Sequence, residues 1–189
     1  IDQFPENVQI IRGWDEGPYS MFQGLDETFD GLFCVGYHSE STSHGNPLSH
    51  TMSSSRILEV RINGRPVNEF EIHALIAAHH KVPALLVTGD KMLTEKIHQI
   101  NEHIGTVATK EGIGDSVMTK TPEKVRKEIF EMVKRVVGDS DKKKYILKNP
   151  EYFKVEVSYK TFQHAYKHQY FPGCHLKDNL TVVFETEDY

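Results

Sequence analysis

The stretch Val82-Pro-Ala-Leu-Leu-Val-Thr-Gly-Asp90 decides the fold that we predict for this chain. Its continuous apolar run predicts a strand covered on both faces, and Gly89-Asp90 ends that strand before a helix at about Thr94 to Asn101. A second apolar run, Gly31 to Gly36, predicts another such strand, which we expect to be central in its sheet. Strands that alternate with helices in this order predict a parallel or mixed sheet.

Shorter patterns lie on the amino-terminal side of this stretch. Val8 to Ile11 predicts a short strand, and Ser20 to Leu25 predicts a short helical turn. Leu58 to Ile62 alternates apolar and charged residues, which is typical of a half-buried strand. Asn63-Gly64 is the favoured dipeptide for a tight reversal, so we expect a hairpin turn there.

Two helices are marked by their capping residues. Asn68 can cap a helix from about Glu69 to His80. Thr121-Pro122 opens a longer helix, which Gly138 ends. The other predicted elements are a short strand at Thr106–Lys110, a half-exposed strand at Phe153–Tyr159, a helical segment at Thr161–Tyr170 and a last strand at Leu180–Glu185.

The predicted fold class is therefore α/β, with a mixed, largely parallel sheet flanked by helices and a smaller α+β carboxyl-terminal part. We expect an α/β region at residues 1–138, a charged and solvated linker at 139–150, and a strand-helix-strand part at 151–189. The sequence begins at Ile1 and not at a methionine. We therefore expect that preceding sequence, including further strands, is missing.

Composition narrows the possible partners. The chain has 189 residues, 38% of them hydrophobic and 26% charged, as in ordinary globular proteins. Its net charge of -5 and the lack of a basic stripe argue against nucleic acid as the main partner. No apolar stretch approaches the roughly 20 residues that cross a bilayer, so we expect no membrane partner. Two cysteines imply no disulfide framework, so we expect a reducing cytoplasm.

Three residues form the candidate site. His38 ends the apolar Gly31 run, His50 lies in the polar loop that follows, and Glu69 opens a helix. A hydrolytic zinc site needs nitrogen and carboxylate ligands together with an open coordination position. Each residue also has an ordinary explanation: His38 as a hydrogen-bonded strand end, His50 as an exposed loop residue, and Glu69 as a carboxylate favoured by the helix dipole.

The remaining chemically active residues are weaker candidates. His73 lies one helical turn after Glu69 and on the same helical face, so it is a candidate partner of that carboxylate. His44 has the same exposed-loop explanation as His50. No Gly-x-Ser-x-Gly elbow is present, and an apolar setting argues against Cys34 as a nucleophile. The other histidines considered are His79 and His80 as helix-end caps and His164 and His168 as a weak metal pair.

Five motifs in order resemble the zinc D-aminopeptidase family, of the type encoded with dipeptide-transport genes. The resemblance extends from about Pro5 into the last strand. The motifs are Gly24-Leu-Asp-Glu-Thr-Phe29, Gly36-Tyr37-His38, Leu48-Ser-His-Thr-Met52, Ile62-Asn-Gly-Arg-Pro-Val67 followed by Glu69, and Val82-Pro83 through Thr88-Gly89-Asp90.

The resemblance implies hydrolysis of short peptides with an amino-terminal D-residue, such as D-alanyl-D-alanine, at a two-zinc centre. By the matching motifs, His38 and Glu69 become metal ligands, and His50 becomes the catalytic nucleophile or base. A homo-oligomeric ring, decameric in the family, is also implied, and the α/β region at 1–138 becomes the catalytic region.

The chain departs from the family pattern in two ways. The family's amino-terminal Asp-x-Glu-Gly strand, its Asn-Asp-x-His segment and its last helix are not present, so we expect an incomplete zinc site and weak or absent zinc binding by these 189 residues. Asn68 replaces a usual glycine, and His73 replaces a usual asparagine. The alternative hypothesis is a catalytically silent α/β subunit or fragment with an assembly or peptide-binding role.

Overall fold

Two sheets and four helices make up the computed structural model, which describes residues 4–13 and 17–188. Ile1 lies outside the described residues. Short 3-10 turns at Ser20–Phe22 and Lys143–Tyr145 complete the elements. In chain order these are β1 (Leu32–Cys34), β2 (Ile57–Ile62), β3 (Arg65–Pro66), α1 (Glu69–His79), β4 (Ala84–Asp90), α2 (Lys91–Ile100), β5 (Gly105–Ile113), β6 (Ser116–Thr119), α3 (Pro122–Gly138), β7 (Phe153–Tyr159), α4 (Phe162–His168), β8 (Cys174–Leu176) and β9 (Thr181–Thr186).

Sheet A has the strand order β1-β4-β5-β6, with β1, β4 and β5 parallel and β6 antiparallel. Every residue of β4 is buried, as its continuous apolar run predicts. Helices α2 and α3 pack on β4 and β5, and α1 packs on β4. The predicted α/β class with a largely parallel, helix-flanked sheet is confirmed. The core beneath the helices includes Phe70, Val87, Leu93, Ile97 and Val136.

Sheet B is antiparallel, in the order β3-β2-β7-β9-β8, and forms an α+β part together with α4. Its strands come from both sides of the 139–150 segment, because β2 pairs with β7. Within that segment, Tyr145 is 2% exposed and Leu147 packs against the cores of both sheets. The 139–150 segment therefore contributes apolar side chains to the packing between the sheets.

The central position predicted for the Gly31–Gly36 strand is wrong within the part of the chain that the structure describes. β1 lies at the edge of sheet A, next to β4 alone. Only Cys34 is buried, at 3% exposure, whereas Phe33 and Val35 are 46% and 63% exposed. Apolar composition indicates which residues tolerate burial, but it cannot indicate how many strands lie beside a strand.

Other boundaries also differ from the predictions. Residues 8–11 form no strand, and the short strands β6 and β8 were not predicted. Helix α2 begins at Lys91, three residues before the predicted start, because the Asp90 side chain accepts a hydrogen bond from Leu93 N at 2.9 Å. Within residues 4–13 and 17–188, no helix is long and apolar enough to cross a membrane.

Candidate metal centre

Three segments that are distant in sequence meet where β1 gives way to a loop. His38 follows β1, His50 lies further along that loop, and Glu69 is the first residue of α1. One possible ligand atom from each side chain lies within 4.8 Å of the others. Over the described ranges, this is the one such group of three or more His, Cys, Asp or Glu side chains. All three residues predicted for the site are therefore brought together.

The two imidazoles are held by backbone carbonyls. His38 Nδ1 is 3.1 Å from Ser39 O, and His50 Nδ1 is 2.7 Å from Leu48 O. Because a carbonyl oxygen can only accept, each Nδ1 carries a proton, and Nε2 is the ring nitrogen that this bond leaves available to bind a metal or exchange a proton. The rings stack with centroids 4.1 Å apart and planes 27° apart. The orientation of both imidazole rings is thus fixed by the backbone of the loop.

Glu69 is fixed at the amino terminus of α1. The preceding Asn68 accepts from Glu71 N at 3.0 Å, and the Glu71 side chain accepts from Asn68 N at 3.2 Å, which forms a capping box. Glu69 Oε1 accepts from Met52 N at 2.8 Å and lies 3.8 Å from His50 Nε2. The carboxylate is therefore held beside His50 by the loop backbone and favoured by the helix dipole.

Asp90 fixes the loop that carries both histidines. Its Oδ2 accepts from Ser39 N at 2.7 Å, from Ser39 Oγ at 3.1 Å and from Asn46 Nδ2 at 2.6 Å. Its Oδ1 caps α2 through Leu93 N. Asp90 is fully buried, so these bonds do not compete with water. The sequence identified Asp90 only as a strand end, because its loop partners lie more than forty positions away.

Lys96 of α2 connects the two segments that carry the candidate ligands. Its Nζ lies 2.9 Å from Glu40 Oε1 and 2.9 Å from Glu71 Oε2. Glu40 is two residues after His38, and Glu71 is two residues after Glu69. Lys96 was not singled out from the sequence. A capping-box glutamate can be recognised locally, but its pairing with a lysine on another helix cannot.

His73 does not form the contact with Glu69 that its helical spacing allows. Its Nδ1 pairs with the Tyr37 hydroxyl at 2.9 Å, and Nε2 is buried without a hydrogen-bond partner among the described residues. His73 is 1% exposed, and its ring packs on Phe22 with centroids 4.5 Å apart. Burial lowers the pKa of His73 from 6.5 to about 4, so the folded chain keeps this imidazole neutral.

This burial predicts a pH-dependent stability. Unfolded His73 takes up a proton below its usual pKa of 6.5, whereas the folded chain resists protonation down to about 4. The contribution of neutral His73 to the free energy of unfolding is thus fully present above pH 6.5, and it is lost as the pH falls toward the folded pKa. In chelator, we expect the unfolding free energy of the wild type to fall about 2 kcal/mol more between pH 7.5 and pH 5 than that of His73→Asn. Parallel pH profiles in urea denaturation would contradict this account.

The other candidates lie outside the group. Burial raises the pKa of the Cys34 thiol to about 12, which agrees with the expectation that it is no nucleophile. His80 Nε2 pairs with the Tyr19 hydroxyl at 2.9 Å. His164 and His168 stack in parallel with Tyr159, and His168 Nδ1 pairs with His164 O. His44 is exposed.

The donor set fits zinc. Zinc bonds of about 2.0–2.2 Å place tetrahedral ligand atoms roughly 3.4 Å apart. The candidate atoms lie within 4.8 Å of one another, so side-chain movements of about an ångström would bring them to the separation that zinc requires. Imidazole nitrogen and carboxylate oxygen are both zinc ligands, and a metal held by His38 and Glu69 would keep open coordination positions, as hydrolytic zinc sites do.

This fold and this group of side chains define a class of protein, the α/β proteins with a candidate metal centre beyond the end of a strand. Comparison with known proteins identifies the family. The model of the Peptidase_M55 family, described as D-aminopeptidase, matches residues 1–189, and the chain belongs to that family. The zinc D-aminopeptidase resemblance predicted from the motifs is confirmed.

Two comparisons with individual proteins agree. A D-aminopeptidase of Bacillus subtilis (strain 168) is 30% identical over 193 residues, which cover all of this chain and 68% of that protein. The solved structure of the Zn-dependent D-aminopeptidase DppA from Bacillus subtilis, described as a self-compartmentalizing protease, superposes with a TM-score of 0.87 at 28% identity. That match also covers all of this chain and 68% of the other.

Proposed function

We propose that this chain is a zinc-dependent D-aminopeptidase that hydrolyses short peptides with an amino-terminal D-residue. His38 and Glu69 hold the metal, and His50 is the catalytic residue. The observation that carries the proposal is the convergence of these three side chains within 4.8 Å. The family membership and the zinc-dependent relative support the choice of metal and of reaction.

His50 supplies the proton transfers. Its Nδ1–H is engaged by Leu48 O, so Nε2 can take a proton from the attacking nucleophile and return it to the leaving amine. The His50 side chain is 28% exposed, which leaves the ring accessible to a peptide. His38 stacks against that ring and limits its rotation. When bound, zinc would polarise the carbonyl oxygen of the scissile peptide bond.

Four further properties belong to the proposal. A two-zinc centre needs donors beyond the three that converge here, so two ions per complete site remains a prediction. A ring-like homo-oligomer, decameric by resemblance, is supported by the self-compartmentalizing relative, and light scattering that shows a lone monomer would count against it. We also keep the division at 139–150 and a cytoplasmic location as proposals.

The test combines turnover with zinc affinity. With zinc in excess, we expect the chain to release D-alanine from D-alanyl-D-alanine, to act poorly on L-alanyl-D-alanine, and to lose activity in chelator. Glu69→Gln should weaken zinc binding at least about a hundredfold, because it removes a charged ligand. Mutations of residues that only hydrogen-bond to a ligand lower metal affinity by about 10–100-fold.

Glu102→Gln is the matched control, because Glu102 is exposed and outside the group. It should keep both the zinc affinity and the turnover of the wild type. Zinc affinity is measured by competition with a chelating dye, which does not depend on turnover. Unchanged zinc affinity in Glu69→Gln would show that the ion binds elsewhere and would contradict the proposed site.

A further inference from the structure

A cavity of about 500 Å³ opens beside His50. Its wall combines apolar side chains with the hydroxyl-bearing residues Ser41, Thr42, Ser49 and Ser54. The volume lies within the range of about 300–1,000 Å³ that small-molecule sites occupy. Since His50 itself lines this space, a peptide that reaches the candidate metal centre can extend into it. The apolar lining residues are Pro47, Leu48, Ile57 and Leu58.

Lys160 is the one lysine or arginine among the residues that line this cavity, and no aspartate or glutamate lines it. Its backbone N donates to Arg56 O at 2.9 Å, and its Nζ donates to Ser54 O at 2.7 Å. An ammonium carries three N–H groups, so two donors remain after the bond to Ser54. The ammonium is thus held at the cavity wall by Ser54 O, and two of its N–H groups remain available to a ligand.

The charge of Lys160 is not neutralised by the protein. Among residues 4–13 and 17–188, no carboxylate lies within 4.0 Å of its Nζ, whereas the nearby Glu59 already pairs with Arg61 at 2.5 Å. Glu59 also accepts from Thr42 Oγ1 at 3.1 Å. An unpaired cation at the wall of a partly apolar cavity favours an anionic ligand.

We propose that Lys160 binds the terminal carboxylate of the peptide substrate and so selects very short peptides with a free carboxyl end. The inference rests on the proposed function, because it takes the scissile bond to lie at His38, His50 and Glu69. A dipeptide carries its carboxylate one residue beyond that bond. Leu48 and Ile57 would then contact its small carboxyl-terminal side chain, and Lys160 would pair with its carboxylate.

The test compares D-alanyl-D-alanine with D-alanyl-D-alaninamide, which lacks the negative charge. Although the Lys160 residue is exposed, a charge-assisted hydrogen bond from its ammonium favours the acid by about tenfold. We expect this ratio both in kcat/KM with zinc and in the dissociation constants measured by calorimetry on the metal-free chain. Lys160→Met should bring both ratios close to one, and Lys160→Arg should preserve most of the preference.

Lys167→Met is the matched control, because Lys167 is an exposed lysine of α4 outside the cavity and its loss changes the net charge equally. It should keep the tenfold preference. Equal binding of acid and amide by the wild type, or an unchanged preference in Lys160→Met, would overturn the inference. If both peptides were still hydrolysed, that result would leave the proposed function intact. Lys160-dependent binding without any hydrolysis would instead support the carboxylate site and reject the proposed function.

Discussion

His50→Ala is expected to lower the turnover of D-alanyl-D-alanine by about 10²–10⁴-fold, the usual contribution of a positioned acid-base group. The reason is geometric. Leu48 O holds Nδ1–H, and the free Nε2 faces the space next to Glu69, so His50 is positioned to accept a proton from a nucleophile at this centre. Turnover is measured as D-alanine released under zinc excess.

The same variant separates two roles for His50. Its Nε2 lies 3.8 Å from Glu69 Oε1, which is close enough for it to act as a third metal ligand. If it acts as the catalytic base or nucleophile, as we propose, His50→Ala keeps its zinc affinity and loses turnover. Parallel losses of zinc and turnover would make it a ligand instead. His44→Ala is the matched control, because His44 is an exposed histidine of the same loop and outside the group.

Lys96→Met is expected to lower the free energy of unfolding by about 3–5 kcal/mol, because it leaves buried carboxylates without their cation. The Glu71 side chain is 2% exposed, and that of Glu40 is 15% exposed. Arg65 also pairs with Glu71, so Glu40 loses more of its compensation. Since these carboxylates sit two residues from Glu69 and His38, zinc affinity should fall as well. The measurement is urea denaturation in chelator, followed by zinc competition.

Lys91→Met provides the control for this prediction. Lys91 lies on the same helix and also pairs with a carboxylate at 2.9 Å, but the side chains of Lys91 and Glu111 are 48% and 41% exposed. Such a pair contributes about 0–1 kcal/mol. Equal destabilisation by the two substitutions would show that burial of the Lys96 cluster has no special role. Adding Glu40→Gln to Lys96→Met should restore part of the loss, because it removes one unpaired charge.

Much of the fold was predictable because it depends on local rules. Asn63 and Gly64 both adopt positive φ, at 51° and 78°, which is the backbone that the Asn-Gly dipeptide favours in a hairpin turn. Asn68 caps α1 as predicted, with Glu71 completing a capping box. Residue spacing and capping residues depend on the backbone conformation within a few positions. These elements were predictable because they form from such local interactions.

The errors share a physical cause. The place of β1 at the sheet edge depends on which strands pair beside it, and the partner of His73 depends on where Tyr37 of another segment comes to lie. The same is true of the cavity that contains both His50 and Lys160, which come from a loop and from the end of β7. None of these contacts has a signature within a window of sequence.

The sequence by itself determined the α/β class, most helices and strands, and the identity of three candidate donors, because periodicity, capping and side-chain chemistry are local properties. Only the tertiary structure decided that His38, His50 and Glu69 face one another, and that Asp90 and Lys96 hold their segments in place. Long-range convergence depends on the packing of α1 and α2 against β4, through contacts between residues far apart in the chain.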